Sequence, residues 1–258
     1  MSIFQRPYRS KLLLPLSAIL GLLGLWTIVW KLHIFHQSAL PSPLAVGWGF
    51  VEEIRNGRLF NDLITSLYRV SIGFLLAVGA GIPTGVWLGQ SLLPRLALMP
   101  VINFFRNLSP LAWIPFAILW FGVGDSASIF LIFLSAYFPV VIATMAAVAG
   151  IPAVYFRVAQ SYGLKGRERL WEVTLPAIMP QVITTLRMTI GICWLVVVAA
   201  EMIAGRDGLG FAVMDSRNGL RTDLLVVEMI VIGLIGIVLD RILLRMTRIP
   251  SVRWGYER

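Results

Sequence analysis

Residues 128–149 read SIFLIFLSAYFPVVIATMAAVA and carry no charged side chain. At 1.5 Å per residue, a helix of this length reaches about 30 Å, the depth of a bilayer's hydrocarbon core. Apolar residues fill every face of it and do not form one stripe, so such a helix needs apolar surroundings on all sides. Five further runs lie on either side, at 12–30, 67–88, 96–121, 183–203 and 224–244. The run at 96–121 is long and broken near Asn107–Pro110. Backbone groups in hydrocarbon must bond within helices or closed barrels, and runs of about 20 residues favour helices over ten-residue barrel strands. The whole chain agrees: 58% of its residues are hydrophobic and 14% charged, where soluble domains have about a quarter charged and under half apolar. The expected fold is all-α and polytopic, with about six transmembrane helices in a single domain over residues 1–258.

Lysine and arginine gather in cytoplasmic loops and set orientation. With the N-terminus inside, thirteen of the 22 basic residues fall on the cytoplasmic side and six on the other. Arg69, Arg106 and Arg187 sit in or at the edge of spans. Both termini are therefore expected in the cytoplasm, as a short segment 1–11 and a tail 246–258. The net charge of +9 reads as orientation, because no stretch joins a basic cluster to exposed aromatics as a nucleic-acid surface would. The first run follows Arg6, Arg9 and Lys11, as a signal peptide's core does, but that core is long and residues 38–40 form a poor cleavage site, so a retained helix is expected. His33 and His36 read as a membrane-edge loop, since a metal site needs more ligands. The single cysteine, Cys193, excludes an intrachain disulfide. Trp26, Trp30, Trp113 and Trp120 suit membrane interfaces, and Gly73, Gly79, Gly81 and Gly85 suit tight helix contacts.

Immediately after 128–149, the segment 151–181 reads IPAVYFRVAQSYGLKGRERLWEVTLPAIMPQ. A helix is expected over 153–161, with Val154, Val158 and Ser161 on one side and bulk from Tyr155 and Phe156. Gly163 and Gly166 are expected to end it, and Leu175-Pro176 to begin the next element. So long a cytoplasmic connection is more than a connector. Its alternatives are a helix gripped by a partner or one lying on the membrane surface.

Here the sequence resembles the permease subunits of type I ATP-binding-cassette importers. Their cytoplasmic signature is Glu-Ala-Ala, three residues, Gly, nine residues, Ile, one residue, Leu-Pro. This chain has Arg157-Val158-Ala159, then Gly163, Val173, Leu175 and Pro176 at the same spacing, with the acidic position replaced by Arg157. Leu40-Pro41-Ser42-Pro43, RNLSPLAWIP at 106–115, Ile118 through Gly122, Ser161-Tyr162-Gly163, Ala200-Glu201-Met202, Gly208-Leu209-Gly210 and Leu220-Arg221-Thr222-Asp223 resemble the nitrate, sulfonate, taurine and bicarbonate branch. The resemblance implies a bacterial inner-membrane importer. In it, two permease copies form the pathway, cytoplasmic ATPase subunits bind ATP and Mg and dock on a coupling helix within about 150–180, and a periplasmic binding protein delivers substrate. The docking residues would be Val154, Tyr155, Val158, Ala159, Tyr162, Gly163, Leu175 and Pro176. No cofactor and no catalytic residue is expected in this chain, which has no G-x-x-x-x-G-K-[ST] loop. The stretch 220–223 tilts the expected cargo toward aliphatic sulfonates or taurine, with nitrate and bicarbonate next.

Ionisable residues in spans are costly and face a cavity or a partner. Arg106 stands with Asn107, Ser109 and Pro110 where a run breaks, and a guanidinium beside freed N–H groups favours an anion. The alternatives are snorkelling or pairing with Glu201. Glu201 reads as a gate or as the partner of Arg69 or Arg106, and Arg69 as structural. The expected pathway set is Arg106, Asn107, Ser109 and Glu201. Asp240 and Arg241 read as interface residues, and the glycine-rich loop 205–222 as a contact for the binding protein. Two other functions stay open: an intramembrane enzyme, which would need further paired catalytic groups in the spans, and an ion-coupled secondary transporter, which would leave the cytoplasmic helix unexplained.

Overall fold

The computed structural model describes residues 10–35 and 39–246. Most of the predicted segment 1–11, His36, Ser38 and all but the first residue of the tail 246–258 lie outside the described residues. Among those described there is no strand. In chain order the helices are α1 (Ser10–Lys31), α2 (Pro43–Asn56), α3 (Arg58–Gln90), α4 (Leu92–Asn107), a 3₁₀ turn (Pro110–Trp113), α5 (Ile114–Phe121), α6 (Asp125–Ala149), α7 (Ala153–Ser161), α8 (Gly166–Arg169), a π turn (Leu170–Thr174), α9 (Leu175–Ala204), α10 (Leu209–Asn218) and α11 (Thr222–Met246).

Five stretches among the described residues are long and apolar enough to cross a membrane: Leu14–Lys31, Arg58–Gln90, Asp125–Ala149, the continuous rod Gly166–Ala204, and Thr222–Arg245. The predicted span 96–121 is instead two shorter helices, α4 and α5, joined at a bend. Proline has no N–H and drives the residue before it out of the helical region. Leu108 (ψ 123°) and Ser109 (ψ 129°) are accordingly extended ahead of Pro110. The six predicted crossings thus become five rods and one bent pair.

The chain packs as two compact units. The larger holds Phe60–Ala212 and Val231 onward. Its centre is the pair α6 and α9, with α5 closing one end through Ile114 and Ala117 against Ala127, Leu131, Val196 and Ala200. Along α3, small residues recur every fourth position. A Cβ added at Gly73, Gly81, Gly85 or Gly89 would stand 2.6–2.9 Å from Ile132, Val140, Thr144 or Val148 of α6. Ala77, in the same row, is fully buried. Lipid gives helices no hydrophobic reason to associate, so close backbone approach along a small-residue row supplies the packing contact. Gly79, predicted with this set, takes no part: nothing lies within 4 Å of its added Cβ. On the other side of α9, Arg187 donates to both oxygens of Asp240 on α11, at 2.8 and 3.0 Å. That pair gives Asp240, read from the sequence as an interface residue, a partner within the chain, while its side chain stays 49% exposed.

The smaller unit holds residues up to Leu59 together with Val213–Ile230. The Ser42 hydroxyl caps α2 by accepting from the Ala45 N–H at 3.0 Å, and Pro43 follows at the first helical position, where its missing N–H costs nothing. Gly49 of α2 meets Leu224 and Val227 of α11. The Trp26 indole on α1 donates to the Pro41 carbonyl at 3.2 Å. Arg221 bridges Glu52 (2.7 Å) and Asp223 (2.9 Å), and holds the Glu52 carboxyl below the usual carboxylate range. Arg58 pairs with Asp215 at 2.6 Å.

Candidate functional site

The nine residues of α7, Ala153–Ser161, coincide with the predicted helix. Pro152 sits just ahead of it in an extended conformation. At the far end Gly163 takes φ +76°, where L-residues are disfavoured by about 1–2 kcal/mol. Its N–H donates to the Gln160 carbonyl and that of Leu164 to the Ala159 carbonyl, both at 3.0 Å. These two bonds close the helix in a Schellman motif. Gly166 differs from expectation. It opens α8, turning the chain at φ +46°. Leu175-Pro176 begins α9 as expected, with the proline in its first turn, but the helix is continuous with a rod that already runs from Gly166 and widens at Leu170–Thr174. There the Leu175 N–H reaches the Leu170 carbonyl, one residue further back than in an α-helix. Pro176 lacks an N–H and its ring crowds the preceding turn, so the widened turn comes where strain would otherwise collect.

Between α7 and this rod lies an open hollow of about 470 Å³. Val154, Tyr155, Val158, Ala159, Tyr162 and Pro176 line it, with Leu164, Val173 and Ala177 completing apolar walls and Glu172 at the edge. Ala159 is buried, and the other α7 side chains stand about half exposed; Tyr162 is 81% exposed. Six of the eight predicted docking residues thus share one surface. Gly163 shapes the helix end but is not in the walls. Leu175 turns the other way and packs against Val86, Ala147, Val148, Ile178 and Val182. Arg157, at the signature's acidic position, is exposed, and Arg169 lies over the Phe156 ring at 5.8 Å.

The three arginines noted in the spans fare differently. Arg69 is 1% exposed. Its guanidinium donates to Asp125 Oδ1 (2.7 Å), Glu201 Oε1 (2.9 Å) and the Asp207 carbonyl (2.9 Å), and it also pairs with the Asp207 carboxylate. Glu201 is fully buried, and its second oxygen accepts from the Ser66 hydroxyl (2.8 Å) and the Gly210 N–H (3.0 Å). Ser66 in turn accepts from the Leu209 N–H, and Asp62 from the Gly208 N–H, each at 2.9 Å. The loop closes so tightly that a Cβ at Gly208 (φ +96°) would lie 2.5 Å from the Glu201 carboxyl carbon. Glu201 therefore belongs to a structural hub with Arg69, and the structure does not bring it to Arg106. Of the two partners the sequence allowed it, Glu201 takes Arg69.

Sequence reasoning missed Asp62, Ser66, Asp125 and Asp207. A signal for the first two was present: Asp62, Ser66 and Arg69 fall at helical spacing on one face of an otherwise apolar run. Asp125 and Asp207 stand at a helix start and in a glycine loop, where aspartate is ordinary.

Arg187 is neutralised by Asp240, as above. Arg106 is exposed and, among the described residues, has neither a carboxylate nor a hydrogen-bond partner. It stands in the last turn of α4, where the helix dipole favours a cation. A cavity of about 170 Å³ adjoins it, walled by Phe105, Leu108, Pro110, Trp113, Ser135 and Phe138 among others. Asn107 and Ser109 are exposed beside Arg106 but outside those walls.

Residues 81–249 match the family described as the binding-protein-dependent transport system inner membrane component. The chain is 34% identical over 243 residues to the taurine transport system permease protein TauC of Escherichia coli (strain K12), a match that covers 91% of this chain and 87% of TauC. It is 37% identical over 221 residues to the nitrate import permease protein NrtB of Leptolyngbya laminosa, covering 82% and 79%. Among solved structures, a chain from inward facing conformations of the MetNI methionine ABC transporter matches with a TM-score of 0.59 at 20% identity. That match covers 74% of this chain and 97% of the other, and is a likeness of fold.

Proposed function

We propose, since the chain belongs to the family of binding-protein-dependent transport system inner membrane components, that it is the membrane-spanning subunit of an ATP-driven importer of small anions, with aliphatic sulfonates or taurine favoured and nitrate or bicarbonate next. Two copies build the pathway across a bacterial inner membrane, with both termini in the cytoplasm. Cytoplasmic ATPase subunits, which bind ATP and Mg, seat in the hollow at α7, and a periplasmic binding protein delivers the cargo. Arg106, with Asn107 and Ser109 beside it, belongs to the pathway.

The observation that carries this reading is the apolar hollow. Covering Val154, Val158 and the rings of Tyr155 and Tyr162, which are half exposed or more, removes apolar surface from water at roughly half or more of the about 1.5–3 kcal/mol that full burial of such a side chain gives. The signature spacing around Gly163 says which partner fits it. The cargo class rests on the 220–223 stretch, on Arg106 and on relatives named for taurine and nitrate.

The test is reconstitution of the permease with its ATPase subunits in vesicles, adding binding protein loaded in turn with taurine or another sulfonate, nitrate or bicarbonate. One cargo should stimulate ATP hydrolysis and accumulate. Failure of any ATPase to co-purify, or uptake driven by an ion gradient without ATP, would overturn the reading.

A further inference from the structure

We propose that the cavity beside Arg106 is an anion subsite within the permease, and that it selects a sulfonate carrying a short hydrocarbon chain over a bare inorganic anion. This rests on the importer reading and adds to it a place and a chemical class.

Arg69 and Arg187 each meet carboxylates at hydrogen-bond distance, whereas Arg106 has no such partner among the described residues. The Arg106 guanidinium is exposed and so open to a ligand, and its fork of donors matches an oxyanion. The helix dipole at the end of α4 favours a cation there, but does not account for the cavity next to it. That cavity has apolar walls in which three aromatic rings stand beside aliphatic side chains. Phe105 and Phe138 stack at 5.8 Å with 7° between their planes, and Trp113 lies 6.0 Å from Phe105. Of the polar side chains among its lining residues, Ser135 already donates its hydroxyl to the Ile132 carbonyl at 2.7 Å, and Arg106 is the one that carries a charge.

Size and polarity then decide the class. At about 170 Å³, the space is well above the roughly 10–15 Å³ that admits a single water molecule. A nitrate or bicarbonate ion would leave much of it unfilled and would set polar oxygens against aromatic carbon with no hydrogen bond in return. A small alkanesulfonate places its oxygens on the guanidinium and its carbons on the rings. With one charged contact, binding stays weak enough for the cargo to leave.

The site is tested by introducing Leu108→Cys, in the cavity wall, into a Cys193→Ala background of the full transport complex in vesicles. Labelling rates of an anionic sulfonatoethyl methanethiosulfonate and its cationic trimethylammonioethyl analogue are compared, each normalised to a free thiol. The anionic reagent should be favoured by about tenfold, the scale of one partly screened charge contact. Ethanesulfonate should slow it and nitrate at equal concentration should not, and adding Arg106→Gln should abolish the preference. Equal rates for both reagents, or equal protection by nitrate, overturns the proposal. Should Leu108→Cys disturb the fold, uptake competition in Arg106→Lys and Arg106→Gln decides instead: lysine should retain the sulfonate preference and glutamine lose it, and unchanged selectivity in both sinks the subsite. Preferential labelling without ATP-driven uptake would fault the importer reading alone, while uptake without preferential labelling would fault only the subsite.

Discussion

A guanidinium as enclosed as that of Arg69 is tolerable only while its charge is answered within hydrogen-bond reach. Removing it alone, as Arg69→Met, strands the buried Glu201 carboxylate. A loss of about 3–5 kcal/mol is expected, read as a lower unfolding temperature in detergent. Arg69→Met combined with Glu201→Leu should recover part of that loss, because no charge is then left sealed. The side chains of Asp125 and Asp207, 55% and 56% exposed, keep their own access to water. A double variant no more stable than Arg69→Met would count against the buried pair as the source. The sequence allowed Glu201 two partners, Arg69 or Arg106, and could not choose, because 132 residues separate Arg69 from Glu201 and only packing brings them together. Arg106 was legible as unusual because Pro110 marks the break beside it; that it lacks a carboxylate partner was not.

Elements were legible where their ends carry local chemistry. Pro152 and Gly163 bound α7, and Pro110 breaks the 96–121 run, each through backbone constraints acting on one or two residues. The π turn at Leu170–Thr174 carries no such mark apart from Pro176 just beyond it, and Gly166 was misjudged because a positive φ serves a helix's start as well as its end. Gly163→Glu should leave the protein in the membrane yet abolish ATP-coupled uptake, since it adds bulk and charge beside an apolar docking surface. Gly163→Ala should cost only the backbone term, about 1–2 kcal/mol, and keep coupling. Normal uptake by the glutamate variant would argue against docking at α7. Along α3 the contrast is between glycines. Gly85→Val forces a side chain into Thr144 and the Val141 carbonyl and should lower stability by about 1–3 kcal/mol or more. Gly79→Ala meets open space and should be neutral or gain about 0.5–1 kcal/mol in helix stability. Both are read by thermal unfolding of the purified protein.

For the molecule as a whole, composition and run length revealed a membrane-spanning helical protein. Division into two units was hidden, because it depends on α10 and α11 each leaving one unit for the other partway along. Orientation is open to direct measurement. In a Cys193→Ala background, a cysteine at Lys165 should react with an impermeant thiol reagent only in inverted vesicles, and one at Arg206 only in right-side-out cells; the reverse pattern would turn the chain over. The five-residue turn ahead of Pro176 has a mechanical meaning at this scale. It holds one residue more than an ordinary coil of the rod, so deleting that residue would swing everything before it by about 100° about the rod's axis. The hollow at α7 straddles that joint, since Glu172 and Val173 lie within the turn and Pro176 and Ala177 just beyond it, so the shape of its walls depends on the turn keeping its extra residue.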